Sequence, residues 1–307
     1  MRDTIIQIKN LTKEYGSSRG IFDINLEVKC GEVYGFIGTN GSGKTTTIRN
    51  MMGFIRPDHG EVNILGMDSW KKSVDIKKYI SYVPGEIAFP KLATGSAFLK
   101  SQAEYLNVSD YTYMNELISR FQLDPSANLK RMSKGMKQKT ALVAALMGDK
   151  DILILDEPTT GLDPLMREVF LNLIREEKAK GKTIFMSSHI FEEIEEVCDK
   201  AAMIKDGHLF DVIDVYELRH GVEKTFYVTF ANPSDKDSVM RRCGSVHCVD
   251  EKASNMLKIT FPMRKTKHIL SLLKDYNITS LSEEHDTLEN HFKTVFEKGE
   301  KENAGRK

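Results

Sequence analysis

Gly38-Thr39-Asn40-Gly41-Ser42-Gly43-Lys44-Thr45 fits the spacing G-x-x-x-x-G-K-[ST], and this pattern constrains the fold more than any other feature of the chain. A loop of this kind needs a buried strand to deliver it and a helix to follow it. Only then do its backbone N–H groups and the helix N-terminus face one set of phosphate oxygens. Both flanks agree. Val33-Tyr34-Gly35-Phe36-Ile37 is an apolar run of strand length, and residues 44–52 are helix-compatible. Glycines at 38, 41 and 43 are expected to turn the backbone through positive φ. Lys44 is placed to reach the outer phosphates as a point charge, and the Thr45 hydroxyl to ligate Mg²⁺. An α/β protein that binds a nucleotide with residues 38–46, Thr46 included, is the expected result.

Composition narrows the class. The chain has 307 residues, 40% hydrophobic and 29% charged, which suits a soluble globular protein with one large and one small domain. Formal net charge is zero, so a nucleic-acid partner is not expected. No apolar run reaches the roughly 18 residues that span a bilayer. The first residues have no long apolar core of the signal-peptide kind. Membrane contact is therefore expected through partners only. Cys30, Cys198, Cys243 and Cys248 show no C-x-x-C spacing and read as reduced cytosolic thiols, with neither a zinc site nor a disulfide framework.

Up to about residue 221, short apolar strands alternate with helical patterns. Strands are predicted at 5–9, 24–28, 33–37, 80–83, 152–156, 183–187 and 201–204, and helices at 97–106, 113–121 and 134–147. The pattern is a mixed-sheet α/β core with a helical insertion at about 88–150. Residues 222–298 change character. Strands at 226–230, 246–249, 257–261 and 278–281, helices at 236–242 and 265–275, and a last helix at 287–296 predict a small α+β unit of β-α-β-β-α-β order, ferredoxin-like. The tail 299–307 is charged and expected to be disordered.

A second constellation completes the nucleotide chemistry. Ile152-Leu153-Ile154-Leu155 runs into Asp156-Glu157, so a buried strand delivers two adjacent carboxylates at its C-terminal end. Side chains alternate along a strand, which lets the two acids divide the work: Asp156 holding Mg²⁺ through its water shell, Glu157 polarising the water that attacks the γ-phosphate. Met132-Ser133-Lys134-Gly135-Met136 opens a helix pattern, Gly161-Leu162-Asp163 follows the acids, His189 follows the strand at 183–187, and Tyr15 precedes the loop. Taken singly, Ser133 reads as a helix cap, His189 as a surface or core histidine, and Tyr15 as a packed aromatic.

In this order, over about residues 3–220, the chain resembles an ATP-binding cassette ATPase, the nucleotide-hydrolysing subunit of ABC transporters. The resemblance implies a P-loop NTPase ABC cassette fold, ATP and Mg²⁺ as ligands, and Tyr15 stacked on adenine. It also implies Ser133 and Gly135 as the signature that contacts the γ-phosphate, Asp163 in the D-loop, and Glu157 and His189 as catalytic residues. It further implies that the signature of one subunit closes over the phosphate loop of another, so that the site is shared between two cassettes. Integral membrane permease subunits would supply the translocation path, holding the chain on the cytoplasmic face of the plasma membrane.

Two departures from the family pattern stand out. The family places a glutamine where Gly85 stands in Val83-Pro84-Gly85-Glu86; glycine has no ligand atom, so either Glu86 or water serves Mg²⁺ there. Lys134 and Met136 vary the signature, and Lys134 is read as solvated. These variants and the small C-terminal domain resemble the ABC-2 type exporter branch, with its bacitracin, sodium and antimicrobial-peptide exporter ATPases. Two alternatives stand beside the exporter. A soluble cassette acting on ribosomes or DNA is disfavoured by the single cassette and neutral charge, and a slowly hydrolysing ATP-binding module is favoured only by Gly85. The acidic run Glu283, Glu284, His285, Asp286 reads as a solvated turn instead of a metal site.

Overall fold

The structure is a computed structural model that describes residues 3–16, 19–221, 223–243, 246–251, 255–284 and 287–293. The chain divides into two compact units, Met1–Ile213 and Asp214–Lys307. The division precedes the helix Val215–His220, earlier than the boundary expected at residue 221.

In the first unit, β1 (Thr4–Glu14) and β2 (Gly20–Lys29) pair antiparallel, and β3 (Val33–Ile37) follows. Helix α1 (Lys44–Met51) leads to β4 (His59–Ile64) and β5 (Met67–Asp68), which complete an antiparallel sheet of order β2-β1-β4-β5. The short helix α2 (Ser73–Ile76) precedes β6 (Ile80–Val83). Helices α3 (Gly95–Tyr105), α4 (Thr112–Arg120) and α5 (Lys134–Leu146) form the helical insertion before β7 (Ile152–Asp156). Then come α6 (Pro164–Ala179), β8 (Thr183–Ser188), α7 (Phe191–Val197), β9 (Lys200–Lys205) and β10 (His208–Asp214).

The second sheet has the order β10-β9-β3-β8-β7-β6, and β9, β3, β8, β7 and β6 pair in parallel. Such strands are buried on both faces, which is why β3 and β7 are apolar without alternation. Ile6, Ile8, Ile48, Met51, Ile154 and Phe185 belong to one core cluster, so the antiparallel sheet, α1 and the parallel strands share a core. Phe185 packs on Tyr34 and Phe36, with ring centroids 5.9 and 5.5 Å apart. Each such buried aromatic contributes roughly 1.5–3 kcal/mol over its exposed state. Because β3, β8 and β7 are adjacent and parallel, the loops after all three leave from one edge of the sheet, where ligands of open α/β sheets bind.

Strands β4, β5 and β10 are absent from the expected set, for a physical reason. β4 opens with three exposed residues, His59, Gly60 and Glu61, β5 has two residues, and no residue of β10 is fully buried. They carry no apolar run to read.

In the second unit, α8 (Val215–His220) precedes β11 (Glu223–Phe230), α9 (Pro233–Arg242), β12 (His247–Glu251), β13 (Met256–Pro262), α10 (Thr266–Leu273) and β14 (Ile278–Glu284). The sheet is antiparallel with order β12-β13-β11-β14, the ferredoxin-like β-α-β-β-α-β arrangement. Phe226, Val228, Leu257, Ile259 and Phe261 meet Val239, Ile269 and Leu273 in its core. Glu283 and Glu284 are paired with Lys224 and Lys258. His285, Asp286 and residues 294–307 lie outside the described residues.

Candidate nucleotide site

The loop between β3 and α1 has the predicted form, with one correction. Gly41 (φ 83°) and Gly43 (φ 113°) take the left-handed backbone that favours glycine. Gly38 does not: it is small because a Cβ would lie 2.3 Å from the Ile204 carbonyl and 2.6 Å from Ser42 Oγ. α1 starts at Lys44 with no side chain capping its first turn, so those amides point outward as an anion site. Lys44 is only 4% exposed, and its Nζ donates to the carbonyls of Gly38 (2.7 Å) and Thr39 (3.1 Å). A cleft of about 620 Å³ opens above it, lined by Tyr15, Asn40, Gly41, Thr45, Thr46 and Glu157 among others. Tyr15, 56% exposed, stands where a planar base could stack on it.

The acids at the end of β7 take two different environments. Asp156 is fully buried; its Oδ1 accepts from Ser187 Oγ at 2.7 Å, and its Oδ2 has no protein partner. Glu157 adopts φ 47°, rare for a residue with a Cβ and typical of strained functional positions. Its N–H donates to Ser187 Oγ (3.0 Å), so one hydroxyl serves both acids. Glu157 Oε1 lies 3.1 Å from Lys44 Nζ, and Oε2 lies 3.0 Å from His189 Nδ1 and 3.2 Å from the Thr160 hydroxyl that donates to it. Burial pushes the Glu157 carboxyl up, but Lys44, His189 and Thr160 together outweigh it and hold it below its ordinary value. An ionised Glu157 requires His189 to donate from Nδ1.

The signature residues lie elsewhere. Ser133 Oγ caps α5 by accepting from the Met136 N–H (3.2 Å), and Asp163 caps α6 by accepting from the Met166 N–H (3.0 Å). Gly135 packs on the turn after β7, where a Cβ would come within 2.6 Å of the Gly161 carbonyl. Gln138 reinforces that contact, donating to the Pro158 carbonyl at 2.8 Å. Lys134 is exposed. Within one chain, Lys44, Glu157 and Tyr15 border the same cleft, and Ser133, Gly135 and Asp163 do not.

Comparison with known proteins agrees with this geometry. A family model described as ABC transporter matches residues 21–160. The chain is 31% identical over 242 residues to an uncharacterized ABC transporter ATP-binding protein, YhcH, of Bacillus subtilis, covering 78% of this chain and 79% of that one. It belongs to the ABC transporter family. The bacitracin transport ATP-binding protein BcrA of Bacillus licheniformis is 29% identical over 297 residues, covering 94% of this chain and 96% of the relative. Nod factor export ATP-binding protein I of Burkholderia orbicola is 33% identical over 207 residues, 66% and 68% of the two chains. Among solved structures, an ATP binding subunit of an ABC transporter superposes with a TM-score of 0.64 at 29% identity, covering 70% of this chain and 92% of that one. The chain is thus an ABC cassette and an ATPase.

The cassette's metal-side cavity, about 220 Å³, is bordered by Thr45, Arg49, Tyr82, Gly85, Glu86, Asp156 and Glu157. Burial, and then the charge of Asp156, push the Tyr82 hydroxyl up to about 12. Glu86 is exposed at the cavity's rim. Among the described residues no three His, Cys, Asp or Glu side chains converge as a metal site. The donor set instead fits Mg²⁺, which takes one or two protein oxygens and completes its shell with water and phosphate. The partnerless, buried Asp156 Oδ2 and the Thr45 side chain that borders the same cavity would be suited to that role.

Sequence reasoning missed Ser187 and Thr160. Ser187 is recognisable only once β7 and β8 are known to be neighbours in the register Asp156↔Ser187.

Proposed function

We propose that this cassette powers export through separate integral membrane subunits, and that the cleft over Lys44 is half of a site completed by the signature of a second cassette. The carrying observation is the division of labour within one chain: Lys44, Glu157 and His189 converge, while Ser133 and Gly135 open a helix away from the cleft. The first turn of α5 carries no acidic side chain, and such a helix N-terminus suits the γ-phosphate of another chain. A structural neighbour of 23% identity is a dimeric ATP-binding cassette bound to ADP and Pi, which supports such a pairing, as a homodimer or with a paralogue.

In this reading Tyr15 stacks on adenine, and residues 38–46 cradle the phosphates with backbone N–H groups. Lys44 leaves Glu157 for the outer phosphates. Glu157, freed and ionised, accepts the proton of the attacking water, and His189 holds its carboxylate in place. Thr45 and Asp156, with Glu86 or water in the place of the family's glutamine, would hold Mg²⁺, which neutralises developing phosphate charge when bound. Loss of the γ-phosphate removes the contact between cassettes, and the pair opens.

An apolar cleft of about 330 Å³ supports a membrane partner. Met52, Phe54, Phe89, Phe98 and Tyr105 line it together with Tyr82 and Pro84, which also border the metal-side cavity. Tyr105 is 81% exposed there. No helix among the described residues is long and apolar enough to cross a membrane; in this reading the membrane partner holds the cassette on the cytoplasmic face. Nod factor export in a relative's name supports export as the direction, and bacitracin transport in another supports a transport role. To residues 222–298 we assign a regulatory or dimer-contact role.

The test is complementation of half-sites. Lys44→Ala lacks the phosphate cation, and Gly135→Asp disrupts the signature turn. Each alone is expected to be inactive, and their mixture to recover ATP hydrolysis through the one intact composite site. No recovery from the mixture refutes the shared site. Copurification with an integral membrane protein tests the export reading; RNA-stimulated hydrolysis without any membrane partner refutes it.

A further inference from the structure

Glu193 lies in the first turn of α7 and is 1% exposed, although the surrounding run Glu192-Glu193-Ile194-Glu195-Glu196 looks like a solvated face. A carboxylate is expensive to bury unless other groups meet it. Three do, each from a different element. Thr159 Oγ1 and Ser188 Oγ both donate to Glu193 Oε2 at 2.9 Å, and Arg167 Nε lies 3.0 Å from Oε1.

Each of these groups belongs to a segment that carries part of the hydrolytic site. Thr159 sits in the turn leaving β7, two residues after Glu157. In the same turn Thr160 donates its N–H to the Glu157 carbonyl (3.1 Å) and its hydroxyl to Oε2 (3.2 Å). Ser188 immediately precedes His189, and its Oγ also accepts from the Ile190 N–H at 3.0 Å, gripping the backbone on both sides of the histidine. Arg167 is in the first turn of α6, its N–H bonded to the Asp163 carbonyl at 2.9 Å. One side chain thus joins the turn of Glu157, the turn of His189 and the helix that Asp163 begins.

We infer that Glu193 is a positioning residue, which sets the 3.0 Å contact between Glu157 Oε2 and His189 Nδ1 by tying together the two turns that carry them. The inference rests on the proposed roles of Glu157 and His189. The left-handed backbone of Glu157, φ 47°, is strained for a residue with a Cβ and persists only where its surroundings hold it. Thr159 and Ser188 are part of that hold, and without a carboxylate at 193 both hydroxyls lose their shared acceptor. The clasp reaches residues 38–46 through the backbone, where the Ser188 carbonyl accepts from the Gly38 N–H at 3.4 Å; Glu193→Ala and Ser188→Ala both leave that carbonyl in place, so substrate binding and turnover should separate. Burial raises the Glu193 carboxyl above its usual value, against the lowering contacts of Thr159, Ser188 and Arg167.

The experiment measures kcat and KM for ATP, and affinity for a fluorescent ATP analogue, in the full-length chain. For Glu193→Ala the expected result is a fall in kcat of about 100-fold, the scale of a misplacement of about 1 Å. KM and analogue affinity should stay within about 2-fold of wild type, so that kcat and kcat/KM fall together, as when an interaction made only in the transition state is lost. Glu193→Gln, whose amide oxygen still accepts from Thr159 and Ser188 while its NH2 replaces the oxygen that faced Arg167, should restore part of the lost rate. If Glu193→Ala does not fold, Ser188→Ala removes one arm of the clasp and should lower kcat alone. Wild-type kcat in the folded variant overturns the inference. So does a parallel loss of kcat and ATP affinity, or a Glu193→Gln protein as impaired as Glu193→Ala, since either marks a merely structural group. Wild-type turnover by Glu157→Gln in the same assay would instead remove the catalytic assignment beneath the inference, whatever Glu193 does.

Discussion

A methyl group added at Gly85 should disturb the metal-side acid. A Cβ there would lie 3.1 Å from Asp156 Oδ2 and 3.2 Å from its Cγ, short of the 3.4 Å at which ordinary contact begins. Asp156 has little room to yield. Its Oδ1 is held by Ser187 at 2.7 Å, and its strand is paired with β6 on one side and β8 on the other. Overpacking of this kind costs about 1–3 kcal/mol; with a shortfall of a few tenths of an ångström, the Gly85→Ala cost belongs near about 1 kcal/mol. That corresponds to a fall in Tm of about 2–4 °C in a protein of this size. The displaced atom is the oxygen assigned to Mg²⁺, so the Mg²⁺ concentration for half-maximal hydrolysis should rise by about 5-fold, the factor that 1 kcal/mol represents. Thermal unfolding and a Mg²⁺ titration of ATP hydrolysis measure both. Wild-type Tm together with an unchanged titration would refute the reasoning. A glutamine at this position has to pass the same contact, which gives a physical reason for the family's side chain to be missing here.

The other predictions concern charge at the phosphates. Lys44→Ala removes a cation bound at the loop and should weaken ATP binding at least about 10-fold, the loss of one charge-assisted phosphate contact; equilibrium binding of a fluorescent analogue checks it, and normal affinity would count against the phosphate-loop reading. The Glu157 carboxyl is pushed up by burial but held down on balance by Lys44, His189 and Thr160. A depressed carboxyl is ionised above its folded-state pKa, so its contributions to stability and to base catalysis are present at neutral pH and are lost as pH falls through that value. The acid limb of kcat/KM, which reports the free enzyme, should therefore lie below the ordinary glutamate range. In His189→Gln it should move upward, because one lowering contact is gone. An acid limb at or above the ordinary range in the wild type would contradict the geometry.

Legibility in the sequence followed burial. β3, β6 and β7 have the bounds their apolar runs predict, because strands buried on both faces carry an unbroken signal. β4 and β10 are half exposed, and without such runs they stay hidden. The phosphate loop and the acid pair were readable as local patterns. What was not readable depends on which segments become neighbours. Ser187 serves both acids only because β7 lies beside β8, Gly38 is small because of the Ile204 carbonyl, and Gly85 abuts Asp156. Glu193 was hidden for the same reason: four glutamates in a five-residue run look alike until one of them is enclosed by Thr159, Ser188 and Arg167.

The central claim is that Glu157 drives hydrolysis in a site closed by a second cassette. Sedimentation of Glu157→Gln with and without ATP and Mg²⁺, beside its steady-state turnover, tests it most directly. The expected result is a cassette that hydrolyses ATP at least about 100-fold more slowly than wild type, in the range of a lost general base, and that ATP holds as a dimer. Wild-type turnover, or a monomer at saturating ATP, would contradict the claim.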